Sequence, residues 1–160
     1  MRQMQRKVLT IFLLIFAFVG IADSAYLADA SLTDTTLACS INGLEGCNVV
    51  AQSEYAHLFG IPLGVYGVVF YVLVFLTGAI LLIKRWRAAY VSLLTLGWFG
   101  LLASAAFELI QIFLIKAICV YCLGSAVLSI AIWLLGIWFW KKYRPLNVVQ
   151  IPSMEAPPPA

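Results

Sequence analysis

The chain has 160 residues, 64% hydrophobic and 11% charged, with a mean hydropathy of +1.02. A soluble domain carries about 25% charged and about 45–50% apolar residues. A water-soluble globule is therefore excluded, and so is a disordered chain, which is poor in apolar residues. The formal net charge of +3 would suit an anionic partner, but its placement argues against nucleic-acid binding. Arg2, Arg6 and Lys7 precede the first apolar run; Lys84, Arg85 and Arg87 separate the second from the third; Lys141, Lys142 and Arg144 follow the last. Of the ten basic residues only Lys116 lies elsewhere. Basic residues beside membrane spans mark the cytoplasmic side, so the charge encodes topology.

Apolar runs at Val8–Leu27, Pro62–Ile83, Ala88–Leu109 and Cys119–Trp140 each approach the roughly 20 residues that cross a bilayer. The sequence predicts an all-α, integral-membrane four-helix bundle, one domain over residues 8–140, with both termini cytoplasmic. The tail, residues 141–160, contains Pro157, Pro158 and Pro159, cannot be helical there, and reads as disordered. The basic start, apolar run and Ala28-Asp29-Ala30 also resemble a secretory signal peptide. The apolar run exceeds the 7–15 residues of a signal core, which favours a retained helix. Trp86, Trp98, Trp138, Trp140 and Tyr143 fall mostly near predicted boundaries, where aromatic rings prefer to sit.

The outward loop, residues 28–61, holds Asp29, Asp34, Glu45 and Glu54 and no Lys or Arg. Asn42-Gly43 and Glu45-Gly46 read as turns. Beyond Cys47, Ala51, Tyr55, Leu58 and Phe59 recur at helical spacing opposite Asn48, Gln52, Ser53 and His57. This pattern predicts a short amphipathic helix lying on the membrane surface. Gly60 ends it, and Pro62 suits the first turn of the next span.

The four cysteines are Cys39, Cys47, Cys119 and Cys122. All map to the outward side, outside the span interiors. An oxidising compartment favours disulfides, and three pairings are open. Cys119-Val120-Tyr121-Cys122 places a C-x-x-C at a helix start. Residues three apart share a helix face, and the positive end of the helix dipole stabilises a thiolate; Lys116 adds to this. Four thiolates can bind zinc, but seven residues lie between the loop cysteines, not the two to four usual for structural zinc. Two separable pairs, one on a Gly-containing loop and one at the membrane edge, suit a thiol–disulfide relay. The loop pair can meet a soluble protein and the helix pair a lipid-soluble acceptor such as a quinone. A thiolate-based metal carrier is the rival; it would place Cys or Met along the spans, whereas Met1, Met4 and Met154 are all terminal. A membrane scaffold with two structural disulfides is a third reading.

These residues resemble the vitamin K epoxide reductase family in its bacterial form. The resemblance runs from about Val8 to Trp140. It rests on Cys39 and Cys47 in the first outward loop, Ser53 after Cys47, Gly67-Val68-Val69-Phe70-Tyr71 in the second span, and Cys119-x-x-Cys122 opening the last. The functionally related disulfide-bond protein B family carries its C-x-x-C first instead. The resemblance implies a bundle enclosing a quinone of the ubiquinone or menaquinone type, capped by the loop helix, in the bacterial inner membrane. It implies that Cys39 and Cys47 form the shuttle pair, that Cys47 passes electrons to Cys119, and that Cys122 faces the quinone. Ser53 would be a polar group near the quinone or the relay. Vertebrate members place an Asn and a Tyr against vitamin K; Leu63 and Ala126 stand at these positions, which implies quinone rather than epoxide reduction. Many bacterial relatives carry a fused thioredoxin-like domain. This chain ends soon after the fourth span, so a separate extracytoplasmic thioredoxin-fold protein is the expected thiol partner.

Other polar residues carry weaker signals. His57, the only histidine, reads as a surface residue. Glu108 and Gln111 lie near the outer end of the third span, and Asp23 near that of the first, where a carboxylate can reach water. Gly60-x-x-x-Gly64 is a helix-packing motif weakened by Pro62.

Overall fold

In lipid a segment must satisfy its own backbone hydrogen bonds, which an uninterrupted helix does. The only proline in the four apolar runs is Pro62, at the very start of the second, where it interrupts no helical bond, and all four runs become helices. The computed structural model describes residues 2–39, 46–84 and 87–143. In chain order these form α1 (Arg2–Leu32), α2 (Cys47–Ala51), α3 (Leu63–Ile83), α4 (Arg87–Ile110) and α5 (Val120–Tyr143). Helices α1, α3, α4 and α5 are long and apolar enough to cross a membrane. Several expected features lie outside the described residues: the turn at Asn42-Gly43, Glu45, Arg85, Trp86, Arg144, residues 144–160, and the side chains of Arg2 and Tyr143.

Helix α1 packs on α3, and α4 on α5; α1 also meets α5 and α3 meets α4, which closes the ring. The core between them holds Leu13 and Ala17 of α1, Tyr71 and Val74 of α3, Leu93 of α4 and Phe139 of α5. Helices in lipid associate by close packing, so small residues line their contacts. Gly64 is one of them: a Cβ there would stand 2.6 Å from the Ala28 nitrogen and 2.8 Å from the Ser24 carbonyl. Gly60 faces open space, so only the second glycine of the Gly60–Gly64 pair serves helix packing.

One end of the bundle gathers basic residues. The Arg6 guanidinium donates to the Leu81 carbonyl at 3.2 Å, and the Lys142 ammonium to Gln5 Oε1 at 3.2 Å. Lys142 also lies 4.7 Å from the Trp138 ring centre. Lys84 follows α3 and Arg87 opens α4 at this same end. Trp98 departs from the expected boundary position. It sits mid-way along α4, edge-on to Trp133 at 5.1 Å.

At the other end the loop folds differently from its apolar pattern. The helix after Cys47 is a single turn, Cys47–Ala51. Ser53 is extended (φ −73°, ψ 153°), and a 3₁₀ turn, Glu54–Ala56, follows. Then β1 (His57–Leu58) pairs antiparallel with β2 (Ile61–Pro62), His57 opposite Pro62 and Leu58 opposite Ile61. The turn needs positive φ at both central residues, 54° at Phe59 and 78° at Gly60, the requirement of a tight hairpin. Tyr55, Leu58 and Phe59 are exposed, Phe59 at 92%. The expected amphipathic helix is thus replaced by a turn of helix, a 3₁₀ turn and a hairpin.

Candidate functional site

Cys119 immediately precedes α5 and acts as its cap. Its carbonyl accepts the first helical bond, from Leu123 N–H at 3.0 Å. Its sulfur accepts the Cys122 N–H at 3.3 Å, as a side-chain oxygen does at an ordinary N-cap. The C-x-x-C spacing therefore places one sulfur over the helix's free N–H groups. Both Cys119 and Cys122 are free thiols, the first buried and the second half-buried. The hydrogen bond from the Cys122 thiol holds the Cys119 thiol below its ordinary value, against the opposing effect of burial. That is the electrostatic condition for a thiolate and for a good leaving group.

A disulfide joins Cys39 and Cys47, with Cα atoms 6.2 Å apart. The arm before Cys39 is pinned by three side chains. Asn48 accepts the Leu37 N–H at 2.8 Å and donates to the Leu37 carbonyl at 3.3 Å. The Tyr26 hydroxyl accepts the Ala38 N–H at 3.1 Å. The Tyr121 hydroxyl donates to the Ala38 carbonyl at 2.8 Å. Tyr121 belongs to the C-x-x-C itself, so one residue ties the loop pair to the helix pair. Gly46 completes the join. A Cβ there would stand 2.7 Å from the Ile118 carbonyl and 2.8 Å from the Ile118 nitrogen. Only glycine lets the chain before Cys47 lie this close to the chain before Cys119. Cys47 (0% exposed) and Cys119 (1%) share one buried cluster with Ala30, Leu37 and Val50.

Cys47, Cys119 and Cys122 all line one cavity of about 880 Å³. All four long helices contribute to its wall, with Leu27, Phe70, Phe99 and Phe107 among its apolar residues. Volume and apolar lining are those of a site for an apolar small molecule. Serines from α1, α4 and α5, including Ser24, Ser104 and Ser125, supply hydroxyls in the wall.

The other expected residues fall in different places. Ser53 is half-buried, and its hydroxyl donates to the Val50 carbonyl at 2.7 Å; its neighbours Ala51 and Glu54 line the cavity. Leu63 lines the cavity too, and Ala126 is buried on α5. His57 lines the cavity from β1, with its Nε2 3.3 Å from the Ser31 hydroxyl. Glu108 lines it from α4. Lys116 adopts the left-handed conformation (φ 56°) that ends the helical path of α4. Asp23 keeps one carboxylate oxygen buried and without a partner among the described residues, so it is less open to water than its position near a span end suggests. The contacts made by Gly46, Asn48, Tyr26 and Tyr121 carry no sequence signal, because each joins residues eleven or more positions apart. Gln111 did carry a signal: it is a lone polar residue between Ile110 and Ile112-Phe113-Leu114-Ile115.

A four-helix membrane bundle with a loop disulfide, a capping dithiol and a shared apolar cavity defines a membrane thiol–disulfide protein. Residues 11–137 match the model of the vitamin K epoxide reductase family. The chain belongs to that family, an oxidoreductase family whose chemistry is disulfide and quinone exchange in membranes.

Proposed function

We propose that the protein is a thiol:quinone oxidoreductase that reoxidises a separate thioredoxin-fold protein and so supports disulfide formation in exported proteins. The observation that carries this is the convergence of Cys47, Cys119 and Cys122 on one apolar cavity. A reduced partner dithiol opens the Cys39–Cys47 disulfide and leaves as a disulfide, handing over two electrons. The Cys47 thiolate attacks Cys119 of an oxidised Cys119–Cys122 pair, forming Cys47–Cys119 and releasing the Cys122 thiolate. Cys39 then attacks Cys47, and Cys119 departs as a thiolate. Each exchange conserves electrons and needs a thiolate nucleophile and a stabilised leaving group. The resulting dithiol returns to the Cys119–Cys122 disulfide as two electrons and two protons pass to a quinone of the ubiquinone or menaquinone type.

In this reading Cys122 is the residue nearest the reacting quinone. Ser53 serves the quinone site through the turn that it closes with Val50, beside the cavity wall. Residues 8–140 are the working domain and residues 141–160 a tail. The basic end of the bundle faces the cytoplasm of a bacterium and the cysteine end faces outward, as the basic-residue rule favours. A four-thiolate metal site is the weaker reading. Cys39 and Cys47 are joined to each other, and among the described residues no group of three or more His, Cys, Asp or Glu side chains is arranged to hold a metal.

A mixed-disulfide trap tests the partner. With Cys47→Ala, Cys39 is a free thiol that attacks the disulfide of the oxidised partner and has no Cys47 to release it, so a reductant-sensitive adduct through Cys39 to a thioredoxin-fold protein is expected. Absence of any such adduct, with Cys39 still reactive to small thiol reagents, contradicts the proposal.

A further inference from the structure

Gln111 is the most costly residue near the dithiol. It is fully buried (0% exposed), and burying a carboxamide is unfavourable unless its groups are paired. Its Oε1 accepts the Cys119 N–H at 2.9 Å. That N–H belongs to a cap residue, so the α5 ladder offers it no carbonyl. Its Nε2 is buried and has no partner among the described residues. The backbone around it is also unusual. Beyond Ile110 the chain widens into a π turn, Gln111–Ile115, and the Gln111 carbonyl accepts the N–H groups of Lys116 and Ala117. π turns interrupt α-helices frequently at functional sites. Gln111 thus holds both the bend after α4 and the residue that opens α5.

We propose that Gln111 is the positioning residue of Cys119. Its carbonyl fixes the Cys119 backbone over the start of α5, and its spare amide N–H is the donor kept for negative charge on the Cys119 sulfur. Oxygen and nitrogen of a carboxamide share one carbon, so the bond to Cys119 N–H also keeps Nε2 beside that residue. In the dithiol state seen here the amide reaches no acceptor among the described residues, the Cys119 sulfur included; the charge on a departing Cys119 thiolate draws it in. This inference rests on the exchange reading above, in which Cys119 is the leaving group when Cys39 attacks Cys47.

The titratable groups acting on Cys119 are Cys122 of α5 and Asp23 of α1, while Tyr121 acts through its backbone N–H; Glu108 of α4 acts on Cys122. A neutral replacement at position 111 leaves that set unchanged. The test is the pH profile of Cys119 alkylation by iodoacetamide, read by peptide mass spectrometry. It uses the full chain with the Cys39–Cys47 disulfide intact and Cys119–Cys122 reduced. Gln111→Met keeps volume and removes both polar groups; Gln111→Leu does the same with a branched side chain. In both, the alkylation midpoint is expected to move up by about one pH unit, a roughly tenfold loss of thiolate at neutral pH. Turnover should fall with the quinone KM unchanged. A wild-type profile in both variants overturns the inference, whatever happens to thermal stability. Failure of the exchange reading looks different: wild-type protein would then reduce no quinone although its Cys119 profile still responds to position 111.

Discussion

Replacing Gly46 by Ala probes the junction between the two cysteine pairs. The backbone itself permits the change, because Gly46 has φ −74° and ψ −2°, a conformation open to any L residue. The obstacle is space. The new Cβ would lie 2.7 Å from the Ile118 carbonyl oxygen, 2.8 Å from its nitrogen and 2.9 Å from Ala117 Cβ. Close carbon–oxygen contacts settle at about 3.3 Å or more, so the segment must retreat by about 0.6 Å. Cys47 is the next residue and moves with it. A misplacement of about 1 Å can cost about a hundredfold in rate, so roughly half that shift should cost about tenfold. The assay uses a Cys39→Ala, Cys122→Ala background, where only Cys47 and Cys119 remain. Formation of the Cys47–Cys119 disulfide under a mild oxidant is followed by mass spectrometry. Gly46→Ala should slow it about tenfold and cost about 1–3 kcal/mol of stability through overpacking. Disulfide formation at the parent rate would refute the claim that glycine is needed to bring these sulfurs together.

Two further outcomes follow from the same geometry. Tyr121→Phe removes the hydroxyl that donates to the Ala38 carbonyl. Loss of one such bond, about 1 kcal/mol, should slow transfer from the loop pair to Cys119–Cys122 about fivefold in a single-turnover experiment, with the quinone KM unchanged; an unaltered transfer rate counts against the brace. Cys122→Ala removes the thiol whose hydrogen bond holds Cys119 down. Because that bond favours the thiolate, its loss should raise the pH midpoint of Cys119 alkylation, and reactivity should disappear at a higher pH as acid is added. A midpoint that stays or falls would show that the bond is not the dominant influence.

Hydropathy alone located the four long helices, because apolar length is a property of each segment by itself. The loop was less legible. Ala51, Tyr55, Leu58 and Phe59 meet a helical period, yet a turn of helix followed by a hairpin satisfies the same spacing. What decides between them is the extended Ser53 and the positive φ at Phe59 and Gly60, neither of which the apolar pattern encodes. The cysteine spacing pointed to the helix start that Cys119 caps. The groups that join the pairs were hidden for a different reason. Gly46 acts against Ile118, and Tyr121 against Ala38, and such contacts between distant parts of the chain leave no local pattern. Gln111 was visible as a polar residue in an apolar stretch, but its bond to the Cys119 N–H depends on the π turn.

The central claim is that Cys119 and Cys122 deliver their electrons to a quinone in the shared cavity. It is tested most directly by anaerobic single-turnover mixing. Purified protein with Cys119 and Cys122 reduced and Cys39–Cys47 intact is mixed with a soluble quinone analogue, and quinol is monitored by absorbance while the cysteines are mapped. The account predicts one quinol for each Cys119–Cys122 disulfide formed, and none from Cys122→Ser. Quinol formation that persists in Cys122→Ser, or that proceeds while both thiols stay reduced, would contradict it.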